Sequence, residues 1–115
     1  MPPSPLEQEF DAAMREIYRR AYTELGYNGT VFFQMLESEG GVETARSLLH
    51  TRAVSEGYTK LWEHHRLDLT LEAVIFHNPR FHSLFSPEEI GIATRRLISH
   101  EYPPAVAARN QGAEH

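Results

Sequence analysis

Three carboxylates and a histidine are spaced along one stretch of this sequence in a way that could hold a metal ion. Glu63 and His64 are adjacent, Asp68 follows His64 by four residues, and Glu72 follows Asp68 by four more. Residues four apart lie on the same side of a helix, and imidazole and carboxylate groups bind divalent metals. One hypothesis is therefore a metal-dependent hydrolase that uses Glu63, His64, Asp68 and Glu72.

Catalysis has little other support in the sequence. The stretch lacks the His-Glu-x-x-His motif of zinc enzymes, and His64 and His65 would point about 100° apart on a helix. No serine lies in a Gly-x-Ser-x-Gly motif, and the absence of cysteine excludes thiolate metal sites and cysteine nucleophiles. We therefore expect a protein without a cofactor and regard a non-catalytic role as the better interpretation.

Arginines form the second group with a chemical use, which is the binding of phosphates. Arg80, Arg95 and Arg96 would serve an accessory nucleic-acid-binding module that presents an Arg-bearing helix. The charge balance disfavours this, because 16 Asp and Glu outnumber 11 Lys and Arg and give a formal charge of -5. Affinity for phosphates comes from clustered basic residues. Nucleic acid is therefore a secondary hypothesis.

The elements that would position these residues are predicted to be helices. Leu6, Phe10, Met14 and Ile17 recur at steps of three and four residues, which predicts a helix with Ser4 as its N-cap and Gly26 at its end. Further helices are predicted over residues 31–39, 42–50 and 57–66, with Asn28 or Thr30 capping the first of these. Another is predicted after a cap at Asp68 or Thr70 and ends at Asn78, and the last starts with a Ser86 capping box and runs to about His100 or Tyr102. The fold class is therefore all-α, a compact single-domain bundle of five to six helices.

The predicted organisation is an irregular N-terminus over residues 1–5, a helical domain over residues 6–102 and a flexible C-terminal tail over residues 103–115 with little to pack. Apolar residues recur in the helix around the single tryptophan and in the segment after it. The inward face of the tryptophan helix is predicted to comprise Tyr58, Leu61, Trp62 and His65, and the core to comprise Trp62, Leu67, Leu71, Val74, Ile75 and the phenylalanines.

The location is predicted from apolar runs. The sequence shows no basic segment followed by an apolar run at its start and no apolar stretch near the roughly 18 residues that cross a membrane. We expect a soluble, cytoplasmic protein with no membrane association.

Five segments carry a resemblance to a known kind of domain. They cover residues 27–36, 40–49, 57–63, 66–72 and 84–96, and include Tyr-Asn before Phe-x-x-Met, Gly-aromatic-Thr-x-Leu-Trp-Glu and Arg-Leu-Asp-Leu-Thr-x-Glu. Together they resemble a small helical domain of uncharacterised bacterial proteins. The resemblance implies a bacterial helical domain and transfers no catalytic residue, since that family has no assigned activity.

The favoured function is a non-catalytic helical interaction module that binds a protein partner or self-associates as a homo-oligomer. Aromatic and arginine side chains are enriched at protein interfaces. An exposed apolar patch is predicted at Tyr18, Tyr22, Phe33 and Tyr58, with Arg80, Arg95 and Arg96 as further interaction candidates.

Overall fold

The computed structural model describes residues 2–113, and the regular elements in that range are all helices. The α-helices are α1 (Pro5–Leu25), α2 (Thr30–Leu49), α3 (Glu56–Glu63), α4 (Leu71–His77), α5 (Pro87–Ser99) and α6 (Pro103–Ala113), with short 3₁₀ helices at Leu67–Leu69 and Pro79–Leu84. Gly40 interrupts α2 with a non-helical backbone. The all-α prediction is confirmed, but the count of five to six is low. The two segments of α2 match the separate helices predicted over residues 31–39 and 42–50, and α6 brings the count in the described chain to seven.

The additional helix lies where the sequence predicts a tail with little to pack. Residues 103–113 form α6, and Ala105 is buried against the side chains of Tyr58, Leu67 and Leu97. Pro103 and Pro104 occupy the first two positions of this helix, where proline's fixed φ is favourable. The predictions for residues 1, 114 and 115 lie outside the described residues.

Local side-chain caps start most of the helices at the predicted positions. Ser4 and Ser86 both form capping boxes, and Ser86 Oγ accepts from the Glu89 amide at 3.1 Å while Glu89 Oε1 accepts from the Ser86 amide at 2.8 Å. Thr70 caps α4 with its side chain alone, since Thr70 Oγ1 accepts from the Ala73 amide at 3.1 Å. Gly26 ends α1 in the left-handed conformation at φ 69°, as glycine commonly does.

A close approach of α1 and α2 explains the glycine pair at positions 40 and 41. The Gly41 amide donates to Asp11 Oδ1 at 2.9 Å. A Cβ atom at Gly41 would lie 2.7 Å from the Cα of Asp11, which is too close for any other residue without a backbone shift. The helix therefore breaks at Gly40 and resumes against the α1 backbone.

Two groups of buried apolar residues hold the helices together. In the larger group, Phe10 of α1 packs edge-on against Phe81 and Phe85, each at a ring-centroid distance of 5.2 Å. The smaller group joins α3, α5 and α6. No helix within residues 2–113 is long and apolar enough to cross a membrane.

Trp62 is not part of this core, so the prediction that places it there is wrong. Its side chain is 46% exposed, and its ring meets the His100 ring edge to face at a centroid distance of 5.2 Å. Tyr58 and Leu61 fill the inward side of α3, which leaves Trp62 at the edge of that face. The helix ends at Glu63, and His65 lies beyond it with a positive φ of 59°, so the predicted face does not continue to His65. Tyr58 and Leu61 of that face are buried as predicted, whereas Trp62 and His65 are exposed.

Candidate binding site

A cavity of about 370 Å³ lies between the second half of α1, the start of α2, α3 and the start of α4. Most of its wall is apolar, formed by Ile17, Ala21, Phe32, Met35, Leu48, Leu61, Leu69 and Leu71. Ligand pockets in proteins usually have volumes of roughly 300–1,000 Å³ and mainly apolar walls. A shallower depression of about 620 Å³ beside α6 has no buried side chain in its wall. The first cavity is therefore the better candidate site.

The turn between α1 and α2 shapes one side of the cavity. After Gly26 the chain reverses, and Tyr18 Oη donates to Asn28 Oδ1 at 3.0 Å. The Asn28 side chain is thereby engaged within the turn. The N-cap of α2 is Gly29, which has no side chain to accept a hydrogen bond, so the prediction that Asn28 or Thr30 caps this helix is wrong. A Cβ at Gly29 would lie 3.4 Å from Tyr27 Cε2. The Tyr27 ring therefore packs in ordinary contact with the start of α2.

The mouth of the cavity is marked by the exposed residues in its lining. These are Asn28, Thr30, Val31 and Glu56. Val31 is 71% exposed, and Glu56 has no cationic group within 4 Å among the described residues. The mouth therefore combines an exposed apolar side chain with an unpaired carboxylate.

A second carboxylate, Glu72, lines the buried side of the cavity and is only 3% exposed. Burial raises its pKa, because desolvation disfavours the charged form. The hydrogen bond from Arg96 Nη1 to Glu72 Oε2, at 3.0 Å, offsets that rise only in part. Of the described residues that line the cavity, none is Lys, Arg or His.

Arg96 was a predicted interaction residue, but most of its side chain is inside the protein. Besides Glu72, its guanidinium donates to the carbonyl oxygens of Leu48 at 3.0 Å, Leu49 at 3.2 Å and Thr51 at 2.8 Å. Leu48 and Leu49 are in the last turn of α2 and Thr51 follows it, so the arginine satisfies carbonyls at and just after the helix end. Arg96 therefore holds three helices together and does not face a partner.

Tyr58 is also buried, so its predicted place in an exposed patch is wrong. Its hydroxyl donates to the Arg96 carbonyl at 3.0 Å and lies 3.2 Å from His100 Nδ1. Burial, followed by the nearby charge of Glu72, raises the pKa of Tyr58 far above its usual value. Tyr58 therefore contributes to the cavity wall and to the packing of α3 on α5.

The other three aromatic candidates lie together at the surface where α1 meets α2. The rings of Tyr18 and Phe33 are 5.0 Å apart between centroids. Tyr22 follows Tyr18 by one turn of α1 and is 55% exposed, while Phe33 is 38% exposed. Tyr18, Tyr22 and Phe33 form what we call the aromatic surface, whereas Val31, two residues before Phe33 on α2, lines the cavity mouth.

Most arginines are paired with carboxylates of the same chain. On α1 these are Arg15 with Asp11 at 2.7 Å, Arg19 with Glu16 and Arg20 with Glu24. Pairs between separate segments include Arg80–Glu9, Arg15–Glu37, Arg66–Glu24, Arg46–Glu89 and Arg96–Glu72. Arg46 and Arg66 also pair locally with Glu43 and Asp68.

Arg95 is exposed and has no carboxylate within 4 Å in the described part of the chain. The other two arginines proposed to bind nucleic acid are both engaged within the described chain. Arg80 pairs with Glu9, and Arg96 is committed to the end of α2. These three arginines therefore do not form a basic cluster.

The four residues predicted to bind a metal ion lie in different surroundings. Glu63 and His64 are exposed at the end of α3, Asp68 pairs with Arg66 at 3.0 Å, and Glu72 pairs with Arg96 inside the protein. Within residues 2–113, no group of three or more His, Asp or Glu side chains is arranged to hold a metal ion.

Comparison of the chain with protein-family models, with curated proteins and with solved structures found no match. The resemblance to a helical domain of uncharacterised bacterial proteins stays a prediction.

The residues missed by sequence reasoning are Val31 at the surface and Tyr27 and Glu56 at the cavity. A signal for Val31 is present, since Val31, Phe32 and Phe33 are consecutive. Successive side chains on a helix point about 100° apart, so three apolar neighbours cannot all face one core. Tyr27 and Glu56 carry no comparable local signal, because the cavity joins segments that are distant in the sequence.

Proposed function

We propose that this protein is a non-catalytic interaction module that docks an amphipathic, basic helix of a protein partner on its aromatic surface. The observation that carries the proposal is the grouping of exposed apolar side chains. Tyr22, Val31, Phe33 and Trp62 are the large apolar residues exposed in the described chain, and two of them, Tyr22 and Phe33, lie with Tyr18 on the aromatic surface. Large exposed apolar side chains that lie together are typical of interaction sites.

The arrangement of the surface suits a helical partner. Tyr18 and Tyr22 are four residues apart on α1 and therefore lie side by side, and Phe33 packs on Tyr18 from α2. An amphipathic helix binds such a surface with apolar residues spaced three and four apart. Tyrosine is enriched among residues that dominate binding energy.

Charge supports a basic partner. The chain carries a formal charge of -5, and the unpaired carboxylate of Glu56 lies at the cavity mouth beside Val31. Lysine or arginine residues flanking the apolar face of a partner would complement this field, since charge complementarity speeds association and favours correct partners. A second copy of the chain would bring the same negative charge.

The test uses a fluorescently labelled synthetic helix with leucines on one face and lysines on the other, with binding followed by fluorescence anisotropy. The double variant Tyr22→Ala, Phe33→Ala should bind at least about tenfold more weakly, the loss expected for interface anchors. Trp62→Ala is the matched control, because Trp62 is equally exposed but lies outside the aromatic surface. It should bind as the unmodified protein does.

Three results would overturn the proposal. Equal loss of affinity in Trp62→Ala and the double variant would show that the surface is not specific. Equal affinity for a peptide with glutamates in place of lysines would remove the charge argument. Sedimentation of the protein alone as a dimer that the double variant dissociates would assign the surface to a second copy.

A further inference from the structure

We infer that the cavity beside the aromatic surface binds a small apolar organic cation, an amine with a hydrophobic body. This inference does not rest on the proposed docking of a partner helix. Two residues of the aromatic surface, Tyr22 and Phe33, do not line the cavity. Both sites can therefore be tested separately.

The cavity has the size and the wall of a ligand site. Its volume of about 370 Å³ is closed on the inner side by buried side chains of three helices, including Leu61 of α3 and Leu71 of α4. An apolar body placed there would replace water against an apolar wall, which is favourable at about 25 cal/mol for each Å² removed from water. The apolar part of a ligand therefore belongs at the inner side.

The charged side chains in the cavity wall favour a ligand with a positive charge. The cavity presents two carboxylates, Glu56 at the mouth and Glu72 at the inner side, without a basic side chain among its described lining residues. The nearest guanidinium partner of Glu72 is Arg96, which is also engaged with three carbonyls at the end of α2. An anionic ligand such as a carboxylate would meet only like charge.

Aromatic rings add to this preference. Tyr18, Tyr27, Phe32 and Tyr58 contribute to the lining, and the faces of aromatic rings attract cations. The Tyr27 hydroxyl makes no hydrogen bond within the described residues and lies near Gly57, beside Glu56. The hydroxyl and the carboxylate are both acceptors for an ammonium group.

The orientation of the ligand follows from the cost of desolvation. An ammonium ion loses its hydration when it is buried, and Glu72 is already paired. Glu56 is exposed and unpaired, so it can neutralise the ammonium where water still reaches it. The ammonium group therefore lies at the mouth, between Glu56 and Tyr27, and the apolar body extends inward.

The test compares three probes that share an apolar body: phenylpropylamine, phenylpropanol and phenylpropionate. Calorimetric titration should give the tightest binding for the amine, weaker binding for the alcohol and the weakest for the carboxylate, with the amine on the order of tenfold tighter than the alcohol. Glu56→Gln should bring the amine to the affinity of the alcohol. Glu56 is exposed, so this variant is expected to fold normally.

Location is tested with a second pair of variants. Met35→Trp fills the cavity and should remove binding of all three probes, with thermal unfolding confirming that the variant folds. The double variant Tyr22→Ala, Phe33→Ala should bind phenylpropylamine as tightly as the unmodified protein does, although it binds the leucine–lysine helix more weakly. That difference separates failure of this inference from failure of the proposed function.

The inference is overturned if none of the probes binds saturably, or if the carboxylate binds as tightly as the amine. An amine-to-alcohol affinity ratio that is unchanged in Glu56→Gln would also overturn it. Full amine binding by a folded Met35→Trp variant would place the site elsewhere.

Discussion

Arg96 donates a hydrogen bond from Nη1 to Oε2 of Glu72 at 3.0 Å, with both side chains largely excluded from water. This contact joins α5 to α4, and the same guanidinium reaches the carbonyl oxygens that end α2. This buried ionic contact is therefore structural. It also fixes the inner wall of the cavity, which Glu72 lines.

Arg96→Ala should lower the free energy of unfolding by about 3–5 kcal/mol, because it leaves the buried carboxylate of Glu72 without a partner. The adjacent Arg95→Ala is the matched control, since Arg95 is exposed and should change stability by less than about 0.5 kcal/mol. Urea unfolding of both variants measures the difference. Equal stability of the two variants would show that Arg96 is not a buried clamp.

Two buried carboxyl groups should give opposite dependences of stability on pH. Burial raises the pKa of Glu72, and the hydrogen bond from Arg96 offsets this in part. Burial acts in the same direction at Glu89, but hydrogen bonds from the Ser86 backbone and from His50 contribute to a net lowering of its pKa. The folded state therefore favours the protonated form of Glu72 and the ionised form of Glu89, each relative to the unfolded chain.

A raised carboxyl pKa contributes stability that is fully present below the unfolded pKa and is lost as the pH rises through the folded pKa. The stability advantage of the unmodified protein over Glu72→Gln should therefore shrink as the pH rises above the ordinary range of a glutamic acid. For Glu89→Gln the advantage should instead shrink as the pH falls through the lowered pKa. Urea unfolding at a series of pH values measures both trends.

If the advantage over Glu72→Gln grew with rising pH, the pKa of Glu72 would be lowered, and Arg96 would outweigh burial. That result would contradict the description of this carboxylate as dominated by desolvation.

Gly41→Ala should destabilise the protein by about 1–3 kcal/mol, because its Cβ would meet the backbone of Asp11 at 2.7 Å and force α1 and α2 apart. Gly91→Ala is the matched control within α5. Its Cβ would meet only the flexible end of Arg95 at 3.0 Å, and removing a helical glycine should gain about 0.5–1 kcal/mol. Thermal unfolding of the two variants should move the midpoint in opposite directions, and a shared direction would contradict this packing.

Ser86→Ala should cost about 1 kcal/mol, the usual value for losing an N-cap side chain. Ser99→Ala at the other end of α5 removes a hydroxyl that has no hydrogen bond in the described part of the chain. Its effect on urea unfolding should stay below about 0.5 kcal/mol. A cost for Ser99→Ala as large as that for Ser86→Ala would contradict the capping assignment.

The features predicted correctly from sequence are those set by neighbouring residues. Ser4, Ser86 and Thr70 cap helices because a hydroxyl and an amide three residues later are always within reach. Gly26 ends α1 because a left-handed residue is easiest for glycine. These interactions depend on short spacing alone, so the pattern of the sequence is sufficient to find them.

The errors arise where distant residues decide the outcome. Apolar spacing alone places Trp62 inward, but its side chain is 46% exposed and its ring contacts His100 of a distant segment. Ala105 is buried because Tyr58 and Leu97 lie beside α6, which no local pattern reveals. Arg96 looks like a surface arginine until the end of α2 is seen to pack against it.

The central claim is that binding takes place where α1 meets α2. It is tested most directly by the amide NMR spectrum of isotope-labelled protein during titration with the leucine–lysine helix. We predict that the largest shift changes fall on the aromatic surface, at Tyr18, Tyr22 and Phe33. Changes centred instead on Arg80 and Arg95, with the aromatic surface unaffected, would contradict the claim.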